Sequence, residues 1–135
     1  MHNPERLQVL QRARQLSITL HRCPLRGIGR RSPGLRAQLL RSLNSIPTNI
    51  TEGVDARSPR EFARFLSMAI GSANEAEQHL RLAYELSLLG PDGQGYIAEL
   101  IELRRMLFGL RKRVLLGDER RRRRDPPTGR PEPKV

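Results

Sequence analysis

Tryptophan is absent from this chain, and three Phe with two Tyr supply all its aromatic rings, 4% of 135 residues. So few rings leave Leu, Ile, Val and Ala to make the core, the residues that pack helix against helix, and this favours an all-α fold over a sandwich. A single cysteine, Cys23, rules out an intrachain disulfide. No charged-then-apolar leader opens the sequence, and no run approaches the ~20 consecutive apolar residues a membrane-spanning helix needs. A soluble, cytoplasmic protein is the expectation. Hydrophobic residues reach 37%, enough for one modest core. Acid is also scarce: 14 Asp and Glu stand against 25 basic residues, of which 23 are Arg, for a net charge of +11. Such a field attracts polyanions or acidic surfaces and speeds encounter with them.

What is present is helical periodicity. Val9, Ala13, Leu16 and Leu20 follow 4-3-4 spacing behind Asn3 as N-cap and Pro4 at the first helical position, predicting a helix over 4–22. The stretch 24–34 carries two Pro, three Gly and three Arg and reads as a basic loop. A second helix over 33–52 turns Leu35, Leu39, Leu43, Ile46 and Ile50 inward. Pro47 falls inside it, where the ring clashes with the carbonyl of Leu43 at a cost of ~3 kcal/mol unless the helix bends. A kink or two short helices are expected there. Ser58-Pro59-Arg60-Glu61 is a capping box with proline at the first position, so a third helix starts here and is expected to reach Leu89, before Gly90-Pro91. Its stripe of Phe62, Leu66, Ala69, Ala73, Ala76, Leu80 and Ala83 is a heptad seam, small at its middle. A fourth helix, 94–116, repeats the rhythm in Tyr96, Leu100, Leu103, Leu107, Leu110 and Val114. A second apolar line, Ile97, Ile101, Phe108 and Leu115, widens its face. The predicted architecture is an antiparallel up-and-down four-helix bundle over 1–117, followed by a disordered Arg/Pro-rich tail over 118–135.

The charge is polarised along the chain. Residues 1–57 hold ten Arg against three acids, whereas 58–90 hold three Arg against four Glu. If nucleic acid binds, the expected phosphate contacts are Arg26, Arg30, Arg31 and Arg36, together with Arg120, Arg121, Arg122, Arg123 and Arg124. The five aromatic rings lie at helical spacings that suit the core better than base stacking.

Catalytic patterns are missing. His2, His21 and His79 fit no metal spacing, and Glu75 with His79 at i, i+4 reads as a surface or inter-helix contact. Cys23 lacks a positioned histidine. Gly27-Ile28-Gly29 lacks the strand and the ending of a phosphate loop. A non-enzyme without metal or cofactor is the expectation.

Several stretches together resemble a bacterial family. They are Gln38-Leu39-Leu40-Arg41, Ser45-Ile46-Pro47-Thr48-Asn49-Ile50, Glu52-Gly53, Ser58 to Phe62, Phe65-Leu66, and Gly71-Ser72 through Glu75. The family is the four-helix bundle proteins encoded in intervening sequences of large-subunit ribosomal RNA genes, and the likeness covers roughly 5–116. It implies a ring-forming bundle, a pentamer, without enzymatic activity. These proteins are similar in fold to the accessory variability proteins of diversity-generating retroelements, basic barrels that bind nucleic acid and a reverse transcriptase. The chain departs from the family in Leu10, where tryptophan is usual, in Val54-Asp55 after the Glu-Gly pair, and in its arginine tail. Around Pro47, a bend would let Ser45, Asn49 and Glu52 meet groups on another helix or subunit; alternatively it is an inherited bend whose polar residues cap the helix end. Two functions follow as expectations: an oligomeric nucleic-acid-binding scaffold, or a protein-interaction module such as an accessory subunit of a reverse transcriptase.

Overall fold

The computed structural model describes residues 3–23 and 33–125. Four helices follow one another: α1 (Pro4–Arg22), α2 (Pro33–Val54), α3 (Pro59–Glu85) and α4 (Gly93–Arg124), and no strand occurs among the described residues. Each helix packs on its neighbours in the order α1, α2, α3, α4 and back to α1. The result is an antiparallel four-helix bundle.

The starts are set by caps. Asn3 accepts from the Glu5 amide at 2.9 Å, and Pro4 begins α1 where its missing N–H costs nothing. At α3, Ser58 Oγ accepts from the Glu61 amide at 3.1 Å, and the Glu61 carboxylate accepts from the Arg57 amide at 3.0 Å. Both halves of the capping box are therefore made. Most of the four predicted seams line the interior: Val9, Leu20, Leu39, Ile46, Ile50, Leu66, Leu80, Leu100 and Leu107 are fully buried, each worth roughly 1.5–3 kcal/mol against exposure, while Leu35 and Tyr96, at the starts of their seams, are only partly buried. Ala69, Ala73 and Ala76 sit at full burial in the same cluster, where their small side chains let α3 approach its neighbours.

Four expectations need correction. First, α2 is not split into two short helices: it continues through Pro47, which is buried. Tertiary burial of the Leu39–Ile50 face outweighs the lost bond, and beside it Thr48 Oγ1 and Asn49 Nδ2 donate to the carbonyls of Asn44 and Ser45, both at 2.9 Å. Second, α3 stops at Glu85 instead of Leu89. Ser87 takes a left-handed φ of 57°, its amide donates to Tyr84 O at 3.0 Å, and the Leu88 amide donates to Ala83 O at 2.9 Å. This is a Schellman closure, sealed by Leu88 packing on Ala83. Third, Gly117 does not end the order: α4 runs on to Arg124, so the expected tail boundary at 118 falls inside a helix. The remainder of that tail, 126–135, lies outside the described residues. Fourth, of the second apolar line only Ile97 joins the core. Ile101, Phe108 and Leu115 remain 38%, 48% and 39% exposed. Tyr84 is exposed as well and Phe65 is half-buried outside the core, so of the five rings only Phe62 is a buried core residue, with Tyr96 packed against that core.

Candidate nucleic-acid interface

The register of the bundle decides which arginines can act together. Across the α3/α4 seam, Arg60 faces Asp118, Ser67 faces Arg111, and Asn74 faces Arg104. Each step of seven along α3 matches a step of seven back along α4, the signature of antiparallel packing. On the other flank of α4, Arg12 grips Glu99 with Nε and Nη2 at 3.0 and 2.9 Å, and Arg113 pairs with Glu5. The C-terminal end of α4 therefore lies with the starts of α1 and α3 and with the end of α2.

This geometry separates the expected phosphate contacts into two groups. Arg36 occupies the first turn of α2, at the opposite end of the bundle, roughly 27 Å along the helix axis from Val54. Arg26, Arg30 and Arg31 lie outside the described residues. Arg120 to Arg124 all sit on the last turn and a half of α4, and all are exposed. With Arg60 level with Asp118, the last five residues of α4 pass the start of α3 by about 7 Å. They form a projecting, cationic helix end.

Within that end the arginines are not equivalent. Asp118 is 5% exposed, the last inward position of the α4 seam after Leu107, Leu110 and Val114. Three guanidinium groups converge on it: Arg121 Nη2 at 3.1 Å, Arg122 Nε at 3.1 Å, and Arg60 Nε at 3.6 Å from the start of α3. Arg123 pairs with exposed Glu119 at 2.8 Å. Arg120 and Arg124 make no ion pair among the described residues. Sequence reasoning missed Asp118 because Gly117 read as a stop. The signals that could have found it were the continued 3-4-4 seam spacing and the Asp118–Arg122 and Glu119–Arg123 pairs at i, i+4.

Elsewhere the polar groups are mostly paired. Glu77 bonds Arg81 at 2.8 Å and also pairs with Arg104, and the bond from Arg81, with both positive charges, holds its carboxyl below the usual glutamate range. Tyr96 donates to Cys23 Sγ at 3.7 Å, and that bond, with burial, raises its phenol. His79 Nε2 lies 3.5 Å from Glu75, the contact expected of that pair. No group of His, Cys, Asp and Glu that could hold a metal ion occurs among the described residues. Nor is any described helix long and apolar enough to cross a membrane.

The three polar residues around Pro47 divide. Ser45 Oγ meets Ser72 Oγ of α3 at 2.9 Å, a true inter-helix contact. Asn49 bonds only Ser45, on its own helix, and Glu52 is exposed without a hydrogen bond among the described residues.

Comparison with known proteins supports this architecture. The profile of the 23S rRNA-intervening sequence protein family matches residues 5–109. A solved structure from Bacteroides thetaiotaomicron, a protein with unknown function from the S23 ribosomal protein family, is similar with a TM-score of 0.72. The two share 22% identity, over 80% of this chain and 98% of that one, a likeness of fold. No curated protein matches.

Proposed function

The chain belongs to the 23S rRNA-intervening sequence protein family, and from that premise we propose that it is a non-enzymatic, oligomeric scaffold that binds nucleic acid through its basic helix end. The observation that carries this reading is the position of Arg120 to Arg124: exposed, consecutive, and carried on a helix that clears the bundle. A helix end is ~10–12 Å across with side chains and presents its cations at fixed spacing, where an unstructured tail would first have to be ordered. Arginine matches phosphate geometry through paired N–H donors. Assembly into a ring multiplies a modest affinity per subunit.

The test is a titration of labelled duplex DNA and of a structured RNA at about 50 and 200 mM salt. Replacing Arg120, Arg123 and Arg124 by Gln is expected to weaken binding about tenfold or more at the lower salt and to flatten the salt dependence by about two to three phosphate contacts. This triple variant is cleaner than truncation at 117, which would also remove buried Asp118. Absence of binding by the wild-type chain at low salt ends the reading.

The assembly half is supported by Ile101, Phe108 and Leu115, which repeat every seven residues on the outside of α4, and by Gly71, an exposed mid-helix glycine of α3 whose added Cβ would meet nothing within 4 Å. Such a glycine costs ~1 kcal/mol against alanine without any return within one subunit. Phe108→Glu is expected to reduce the mass seen by light scattering toward that of one chain. An unchanged oligomer mass excludes this face as the contact. The same stripe favours the second reading, docking of a protein such as a reverse transcriptase; in that case the arginine variant keeps its partner and Phe108→Glu loses it.

A further inference from the structure

We propose that Asp118 is a positioning residue that gathers Arg60, Arg121 and Arg122 into a clamp for phosphodiester groups, an inference that rests on the nucleic-acid reading above. A buried carboxylate needs compensation, since removing its charge from water costs several kcal/mol unless it is paired. One well-placed cation meets that need. Here three converge, and three guanidinium groups against one carboxylate leave a local charge of +2.

The excess is held where a ligand can reach it. Asp118 itself is enclosed, but each of the three arginine side chains is more than half exposed. Asp118 is within ion-pair reach of Nε of Arg60, Nη2 of Arg121 and Nε of Arg122, so the remaining N–H donors of each guanidinium are left for another acceptor. Arg60 comes from α3 and the other two from α4, so the cluster is fixed by both helices. The ordering cost of three long side chains, ~2 kcal/mol of rotamer freedom each when fully lost, is partly met before any ligand arrives. A phosphodiester oxygen pair fits the paired N–H geometry that guanidinium offers.

The proposal makes an expectation opposite to that of bulk charge. Asp118→Asn raises the net charge by one, so a diffuse field would hold nucleic acid more tightly. If Asp118 builds the clamp, the same change releases three arginines and weakens binding. Glu119→Gln is the charge-matched control, because Glu119 is exposed and among the described residues pairs only with Arg123. Using the full chain with a labelled duplex DNA and a labelled RNA hairpin, Asp118→Asn is expected to bind at least about threefold more weakly than Glu119→Gln, with a salt slope lower by about two contacts. The arm with the larger loss identifies DNA or RNA as the source of the phosphodiester. Binding by Asp118→Asn equal to or tighter than by Glu119→Gln overturns the clamp while leaving the broader reading standing. Failure of the wild-type chain to bind either probe removes both. Should circular dichroism show that Asp118→Asn unwinds the end of α4, Arg60→Gln decides, since it leaves Asp118 two partners: a slope reduced by about one contact supports the clamp, and an unchanged slope and affinity overturn it.

Discussion

Gly53→Val is expected to lower the stability of the fold by about 3 kcal/mol. Gly53 is the last buried residue of α2, and a Cβ placed on it would lie 2.7 Å from Phe62 Cδ1 and 2.9 Å from Phe65 Cβ. The second contact is the more serious, because a Cβ moves only with its backbone. α3 cannot retreat cheaply either: residues 55–58 are all that joins it to α2, the Ala56 amide is tied to Gly53 O at 3.1 Å, and the capping box fixes the first turn. Relief would have to come from lifting buried Phe62 out of the core, along with the Arg6 guanidinium stacked 4.4 Å above its ring. Helix propensity pulls the other way, since glycine is the poorer helix former by several tenths of a kcal/mol, but that gain is the smaller term. Gly53→Ala, with more propensity to gain and less bulk to place, is expected to lose about 1–2 kcal/mol. Thermal melts followed by circular dichroism should show the valine variant about 10 °C below wild type. A melt within two degrees of wild type would show that the α2–α3 corner opens freely. Glu52-Gly53 was legible in the sequence only as part of a resemblance; its physical content is this close approach of two helices.

The bundle itself was legible because each helix shows its buried face through spacing alone. The 4-3 rhythm of Leu66, Ala69, Ala73, Ala76 and Leu80 needs no partner to be seen, and every one of these residues is fully buried. Caps at Asn3 and Ser58 were equally visible, since they rest on two or three adjacent residues. What could not be read depends on contacts distant in sequence or on conformations the residue type does not announce. Ser87 adopts a left-handed conformation that usually belongs to glycine, so Gly90-Pro91 looked like the stop of α3. Pro47 looked like a break because sequence counts the lost hydrogen bond and not the burial of the surrounding face. The arginine run looked unstructured because composition alone cannot show that Arg60, 58 residues earlier, lies beside Asp118. The candidate interface was therefore half legible: the residues were named, but their order, their separation from Arg36 and the carboxylate beneath them were not.

Ala73→Leu should prove nearly as damaging as Gly53→Val, at about 3 kcal/mol, for a different reason. Ala73 lies at the middle of the α3 seam with Ala69 and Ala76, all at zero exposure, and the cluster around them already includes Leu43, Ile46, Leu103 and Leu107. Interiors of this kind are packed about as densely as organic crystals, so three added carbons find no vacant volume. Either α3 moves outward, taking apolar contact from both α2 and α4, or neighbouring leucines leave their preferred rotamers. Leucine is almost as good a helix former as alanine, so propensity offsets nothing. Two residues away the sign reverses. Gly71 has open space where a Cβ would go, so Gly71→Ala should raise stability by about 0.5–1 kcal/mol. Denaturant titration of both variants with a common slope isolates the difference, about 4 kcal/mol between neighbours on one helix. A mild effect of Ala73→Leu would mean that the seam is loosely packed and that its small residues reflect composition and not close approach. If Gly71→Ala stabilises the chain yet reduces the oligomer's mass, the glycine is retained for contact between subunits, and the outer face of α3 joins Ile101, Phe108 and Leu115 as part of the assembly surface.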